Sequence, residues 1–168
     1  VVDLGSLGSH TEQRLIAETV LSTMWRERAR REPCLIVIDE AHNVCPGQAP
    51  DALTALATNY ASLIAAEGRK FGLYLLTSTQ RPQKVHDEVL SQCDNLLLMR
   101  MNSESDLHHL RETFSFVPAG LIQRATTFRQ GESLVAGKLA PHPTYVRFGE
   151  RLSREGGADI PTSWAVMS

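Results

Sequence analysis

Three continuous apolar runs, separated by stretches with helical periodicity, dominate the hydrophobic pattern of this 168-residue chain. The runs cover residues 34–39, 73–78 and 95–99, and each has the length of a β-strand. Short runs without polar alternation are typical of strands that are buried on both faces of a parallel sheet. We therefore predict three strands of this kind.

Between the runs, apolar residues recur at three- and four-residue steps, which predicts amphipathic helices. Ser9 or Thr11 is a suitable cap for the first helix. Strands that alternate with helices favour βαβ units, and hence an α/β fold with a mainly parallel sheet flanked by helices. The predicted helices span 11–31, 52–69, 85–92, 118–124 and a stretch that begins near Ser103.

The two ends of the chain depart from this pattern. Residues 1–4 look like the end of a strand, and 126–139 alternate in the manner of a C-terminal β-hairpin that turns at Gln130 and Gly131. A last strand is predicted over 144–148. We expect one domain over 1–150 and a poorly packed tail over 151–168.

Composition and charge narrow the class of protein. Apolar residues make up 42% and charged residues 21%, and the formal net charge is −2, so any contact with nucleic acid requires a local patch. The odd set of three cysteines suits a reducing cytoplasm, and no run is long enough to span a membrane. Because the chain starts at Val1 within a strand-like run, we expect it to be a piece of a longer protein.

Candidate chemistry begins with two adjacent carboxylates, Asp39 and Glu40, at the carboxyl end of the first run. The carboxyl ends of parallel strands form the sheet edge at which ligands bind. This pattern is typical of a Walker B element, in which the first acid holds Mg²⁺ and the second polarises the attacking water in phosphoryl transfer. The alternative is an acidic helix start favoured by the helix dipole.

Further polar residues suit the same chemistry. Gln80 follows the second run at the same predicted edge, where it can bond a γ-phosphate or the attacking water. Arg69, beside Lys70, precedes that run and is a candidate arginine finger for a neighbouring subunit. Its alternative role is that of a cation at a helix C-terminus.

A phosphate cradle is absent, because the sequence contains no G-x-x-x-x-G-K-[ST] motif. The nearest segment, residues 131–139, has one residue too many between its glycines and Leu139 in place of a metal-binding hydroxyl. It also follows the acids instead of preceding them. We therefore reject it.

Four motifs follow one another along the chain: L-I-V-I-D-E-A-H at 35–42, E-G-R-K-F-G at 67–72, T-S-T-Q-R-P at 77–82 and V-L-S-Q-C at 89–93. In this order they resemble the HerA–FtsK superfamily of ATPases, and the HerA branch is the nearer match over roughly 1–150. The resemblance implies a RecA-like P-loop NTPase core, a homo-hexamer and ATP-driven translocation on double-stranded DNA. It also implies a NurA-type nuclease or another effector as partner, in DNA end processing or phage defence.

The resemblance also assigns roles to residues. Asp39 matches the acid that binds Mg²⁺, Glu40 the catalytic base, Gln80 the polar sensor and Arg69 the trans arginine finger, while Lys70 joins the ATP-binding set. Since Walker A is absent, the chain resembles only the C-terminal part of such a motor. We expect it to be inactive alone.

Three alternatives remain at this point. One is a DNA-pumping ATPase closer to FtsK or conjugation motors, and another is a non-hydrolysing interaction module without a P-loop. The string D-E-A-H at 39–42 also matches the box of another helicase superfamily, but the Ser-Ala-Thr motif and the later Gln/Arg-rich motif of that superfamily are absent.

Overall fold

The computed structural model describes residues 1–150 and Leu152, so the rest of the predicted tail over 151–168 lies outside the described residues. No helix among the described residues is long and apolar enough to cross a membrane. The helices are α1 (His10–Arg26), α2 (Ala52–Glu67), α3 (Asp87–Ser91), α4 (Glu104–Thr113) and α5 (Ala119–Gln123). The strands are β1 (Cys34–Ile38), β2 (Leu73–Thr77), β3 (Asn95–Leu98), β4 (Glu132–Gly137) and β5 (Thr144–Arg147).

The strands form two sheets. Strands β1 and β2 are parallel, with Cys34 opposite Leu73 and Ile38 opposite Thr77. Strands β3, β4 and β5 form an antiparallel sheet in that order. The predicted α/β fold is confirmed, but the third predicted strand pairs with β4, so the parallel part of the described chain has two strands.

The prediction of a hairpin over 126–139 is wrong in its first arm. Residues Arg124–Thr127 form a 3-10 turn, and Phe128 is buried in the second core instead of continuing a strand. The alternating pattern marks β4 alone, which pairs with β3 on one side and β5 on the other. The C-terminal hairpin therefore consists of β4 and β5.

Two cores hold these layers together. Helices α1 and α2 pack on each other and on one face of β1 and β2, where Leu21, Ala61, Ile64 and Leu73 are buried. Helices α4 and α5 cover the antiparallel sheet around a second buried cluster. Its largest fully buried members are Leu107, Ile122 and Leu134.

The other face of β1 and β2 is open, which contradicts the prediction that these strands are buried on both faces. The exposed fractions are 60% for Leu35, 59% for Val37, 50% for Tyr74 and 45% for Leu76. Side chains alternate between the faces of a strand, and the register pairs Leu35 with Tyr74 and Val37 with Leu76. These four residues form a contiguous apolar patch, called here the open face.

Smaller corrections concern the element ends. No strand forms over 1–4, where the Asp3 carboxylate instead accepts hydrogen bonds from Gly5 N and Ser6 N in a turn. Ser9 caps α1 as predicted, because its hydroxyl accepts from Glu12 N at 3.2 Å. Both long helices are shorter than predicted, since each is followed by a separate 3-10 turn, Arg28–Arg30 and Gly68–Phe71.

Candidate functional site

Residues that follow β1 and β2 are tied together at the carboxyl edge of the parallel sheet. Ser78 N donates to Ile38 O at 2.9 Å, and Ala41 N donates to Ser78 O at 2.9 Å. These bonds fix the two loops beside each other. Asp39 and Glu40 therefore lie at the same edge as Thr79 and Gln80, which we call the acidic edge.

Glu40 occupies an unusual backbone position. Its φ of 48° and ψ of 49° lie in the left-handed region, which is uncommon for residues other than glycine. The Asp39 carboxylate accepts from Glu40 N at 3.0 Å and supports this turn. Left-handed residues of this kind cluster at sites where the backbone must aim a functional side chain.

The Glu40 side chain is only partly satisfied. Its Oε2 is buried and has no hydrogen-bond partner among the described residues, although His42 Nδ1 lies 3.3 Å away. A buried carboxylate oxygen without a donor is unfavourable, so this atom is ready to accept a hydrogen bond from a bound water or ligand. That property is what a general base requires.

His42 is a site residue that the sequence pattern did not identify. Its side chain is 14% exposed, and Nδ1 lies 3.0 Å from Thr79 Oγ1 as well as 3.3 Å from Glu40 Oε2. Thr79 Oγ1 in turn accepts from Arg81 N at 3.0 Å. His42 thus connects Glu40 to the loop that carries Gln80. The spacing gave no signal, because Thr79 is 37 residues away.

Asp39 fits a magnesium ligand of one particular kind. Its side chain is exposed at the acidic edge, and no group of three His, Cys, Asp or Glu residues in the described chain is arranged to hold a metal by itself. Mg²⁺ commonly takes one or two carboxylates and otherwise keeps water and substrate phosphates. Asp39 therefore suits a metal that arrives with a phosphate. His42 and Cys45, although close in sequence, form no metal site.

Gln80 is exposed and directly follows Thr79 at the acidic edge. The structure thus brings the predicted residues Asp39, Glu40 and Gln80 to one edge. Exposed carboxylate and amide groups beside a half-buried base can bind and orient a polar ligand together with its water.

Arg69 and Lys70 lie at the opposite end of the sheet. Both are exposed on the 3-10 turn Gly68–Phe71, called here the finger turn, which leads directly into β2. Because β1 and β2 are parallel, the length of a strand of about 16 Å separates this turn from the acidic edge. One chain therefore does not bring Arg69 to its own Glu40. Lys70 Nζ lies 3.4 Å from Glu67 Oε2.

Sequence comparison finds similarity to archaeal helicases. The chain is 32% identical over 129 residues to the probable helicase MJ1565 of Methanocaldococcus jannaschii, covering 77% of this chain and 24% of that protein. It is 28% identical over 156 residues to the DNA double-strand break repair helicase HerA of Sulfurisphaera tokodaii, covering 93% and 31% respectively. The chain thus spans about a quarter to a third of the length of these curated relatives. No protein-family model matches it.

Solved structures with a similar fold include a viral genome packaging NTPase and VirB4. The genome packaging NTPase B204 of Sulfolobus turreted icosahedral virus 2, in complex with ATP-gammaS, superposes with a TM-score of 0.59 at 18% identity. That match covers 76% of this chain and 58% of B204. VirB4 of Thermoanaerobacter pseudethanolicus gives a TM-score of 0.64 at 20% identity over 89% of this chain and 40% of VirB4. At these identities the likeness concerns the fold.

Proposed function

Because this chain belongs to the HerA-like helicases, within the HerA–FtsK superfamily of P-loop NTPases, we propose that it is the C-terminal part of an ATP-driven translocase or helicase that acts on double-stranded DNA. The relatives are helicases by name, and the structural neighbours include a packaging NTPase with a bound ATP analogue. The chain spans only part of each, so the activity of the whole protein is inferred.

The single observation that carries the proposal is the shared edge of Asp39, Glu40 and Gln80. Ser78 and Ala41 hold the two loops together, and the buried oxygen of Glu40 has no donor among the described residues. A carboxylate for Mg²⁺, a base for water and an amide for the γ-phosphate are the groups that phosphoryl transfer requires at such an edge.

The remaining parts of the site come from elsewhere. The sequence holds no phosphate loop, so the isolated chain is expected to be inactive and to require a Walker A segment for tight binding of ATP and Mg²⁺. Arg69 lies a strand length from its own acidic edge and is assigned to the site of a neighbour, with Lys70 beside it. Because each site then combines residues of two subunits, we propose that the subunits form a ring and that this ring is a homo-hexamer.

The biological setting proposed for the complete motor is cytoplasmic DNA end processing or phage defence. Duplex DNA is the proposed track, and a NurA-type nuclease or another effector is the proposed partner. A packaging or conjugation-type motor is the second candidate, and one neighbour of the same fold, B204, is a genome packaging NTPase by name. Translocation without strand separation by the purified motor would distinguish this candidate.

Substitution of Glu40 by glutamine in the full-length protein tests the role of the base. We expect ATP binding to remain while hydrolysis falls by about 10²–10⁴-fold, because the amide keeps the shape but cannot accept the proton. Filter binding and steady-state phosphate release measure the two quantities. Glu88→Gln, at an exposed acid on α3, is the matched control and should behave as wild type. Normal turnover in Glu40→Gln would refute the assignment.

Mixing subunits tests whether Arg69 acts in trans. An Arg69→Ala subunit keeps its acidic edge, and a Glu40→Gln subunit keeps its finger, so mixed assemblies contain some complete sites. We expect the mixture to hydrolyse ATP faster than the weighted sum of the two variants assayed separately. Activity equal to that sum would place Arg69 outside the neighbour's site.

A further inference from the structure

Two glycines, Gly68 at the start of the finger turn and Gly72 directly after it, hold the turn against the sheet. A Cβ atom at Gly68 would meet Leu73 O at 2.8 Å, so the turn sits directly against β2. Gly72 has a φ of 84°, and its carbonyl accepts from Cys34 N at 3.0 Å. Both glycines connect the turn to the sheet through backbone contacts, which leave no room for a side chain at Gly68.

On its other side the turn is held by a single large side chain, Phe71. The ring of Phe71 packs edge-to-face with Trp25 in α1, with centroids 6.0 Å apart and planes at 84°. The guanidinium carbon of Arg28 lies 4.3 Å from the Trp25 ring centre and 5.3 Å from the Phe71 ring centre. These three side chains, called here the Arg28 clamp, join the end of α1 to the turn that carries Arg69.

The guanidinium group of Arg28 is held in one orientation. Its Nη1 donates to Trp25 O at 2.8 Å, which orients the guanidinium plane, while Nε is buried without a hydrogen-bond partner among the described residues. A buried N–H without an acceptor is unfavourable for folding, and a methionine would fill the same space at lower cost. An arginine here instead bonds a carbonyl at the end of α1 and places a cation within cation–π distance of two rings, which fixes its position between α1 and the finger turn.

We propose that Arg28 is a positioning residue for Arg69: through its cation–π contacts with Trp25 and Phe71 it fixes the finger turn, so that Arg69 points at the active site of the neighbouring subunit. This inference rests on the proposed trans role of Arg69. Arg28 acts through Phe71 and touches no reacting atom. Its effect is confined to the site that receives the finger, so the acidic edge of the same chain is untouched.

Substitution of Arg28 in the full-length protein provides the first measurement. We expect Arg28→Met to lower kcat by about 10- to 100-fold with an unchanged Kd for ATP, because a misplaced group loses transition-state contacts without disturbing the substrate site of its own chain. The kcat of Arg28→Lys should lie between those of wild type and Arg28→Met, since lysine keeps the charge but loses the guanidinium that bonds Trp25 O. Arg30→Met, in the same 3-10 turn and paired with Glu27, is the matched control with normal kcat.

The decisive experiment mixes Arg28→Met subunits with Glu40→Gln subunits. Because the Arg28→Met site is intact and its neighbour supplies a well-placed finger, hydrolysis should exceed the weighted sum of the separate variants. Phe71→Leu removes the ring but keeps apolar packing, and its hydrolysis of ATP should be restored by Glu40→Gln subunits in the same way. This variant replaces Arg28→Met in the experiment if Arg28→Met fails to fold.

A control mixture of Arg69→Ala with Glu40→Gln subunits distinguishes the positioning role of Arg28 from the trans role of Arg69. Rescue of Arg69→Ala by Glu40→Gln without rescue of Arg28→Met or Phe71→Leu overturns the role of Arg28 and leaves the trans finger standing. Failure of all three mixtures overturns the trans finger, and the positioning role falls with it. A raised Kd for ATP in Arg28→Met would likewise contradict an effect limited to the neighbour's site.

Discussion

At Glu40 the backbone and the side chain act together. A left-handed residue with a Cβ atom is disfavoured by about 1–3 kcal/mol, and the turn persists because Asp39 Oδ1 and the bond from Ala41 N to Ser78 O over-determine it. The same turn brings the carboxylate next to His42. The site thus concentrates backbone strain and an unsatisfied polar oxygen on one residue, which is typical of groups that become satisfied when ligand binds.

Cys45 offers a residue-scale test of the first core. Burial raises the pKa of its thiol to about 12, with nearby Cys93 as a smaller cause, and burial also raises the pKa of Cys93. At pH 8 roughly one Cys45 thiol in ten thousand is ionised, and the thiolate is the reactive form. We expect iodoacetamide at pH 8 to alkylate Cys45 far more slowly in the folded chain than after denaturation, as followed by mass spectrometry. Equal rates would contradict the buried placement.

Residues in local motifs were predictable, and residues paired over long distances were not. Asp39, Glu40 and Gln80 stand directly after apolar runs, so strand polarity alone assigned them to one edge. His42 contacts Thr79, and Arg28 makes a cation–π contact with Phe71, which lies more than forty positions away in the sequence. Periodicity carries no information about such partners.

At the scale of elements, the N-terminus of α2 predicts a pH dependence of stability. The pKa of Asp51 lies below its ordinary value of 3.8, chiefly because Thr54 N donates to the carboxylate, with Arg14 at 2.6 Å contributing less. A lowered pKa in the folded chain means that this stabilisation is present above pH 3.8 and is lost as the pH falls through the folded value.

Asp51→Asn removes the negative charge but keeps a side chain that can cap the helix, because asparagine is also a favoured N-cap residue. We expect the variant to be less stable than wild type at pH 7 and the difference in unfolding free energy to shrink as the pH falls below about 4. Urea unfolding between pH 3 and pH 7 measures it. A difference that stays constant across this range would show that the charge does not contribute.

Element types were better predicted than their ends and partners. The three- and four-residue periods identified α1 and α2, yet apolar and basic residues continue the pattern into separate 3-10 turns at Arg28–Arg30 and Gly68–Phe71. Alternation identified β4 but not its neighbours, because a two-residue period states which face is apolar and not which strand lies beside it. The prediction of a hairpin over 126–139 was wrong in its first arm for this reason.

For the whole molecule, the open face predicts self-association of the chain when it is made alone. Leu35, Val37, Tyr74 and Leu76 are each close to half exposed or more, and contiguous exposed patches of this kind mark interaction surfaces. The apolar pattern of the sequence indicated that both faces of β1 and β2 are covered, but it did not show whether the residues that cover them lie within 1–150.

We expect the chain to form concentration-dependent oligomers in sedimentation velocity, and Val37→Lys to shift it toward monomer by placing a charge in the centre of the patch. Leu139→Lys, at an exposed leucine outside the patch, is the matched control and should leave association unchanged. A chain that remains monomeric at every concentration would show that the open face is not adhesive.

A full strand length separates the acidic edge from the finger turn. The number of complete sites in an assembly therefore depends on how its subunits are arranged. When each subunit gives Arg69 at one end and receives it at the other, the contact is heterologous, and such contacts either close into a ring or continue as an open row. A closed ring completes every site, whereas an open row always leaves the terminal acidic edge without a finger. The specific activity per subunit would then report directly on whether the ring has closed.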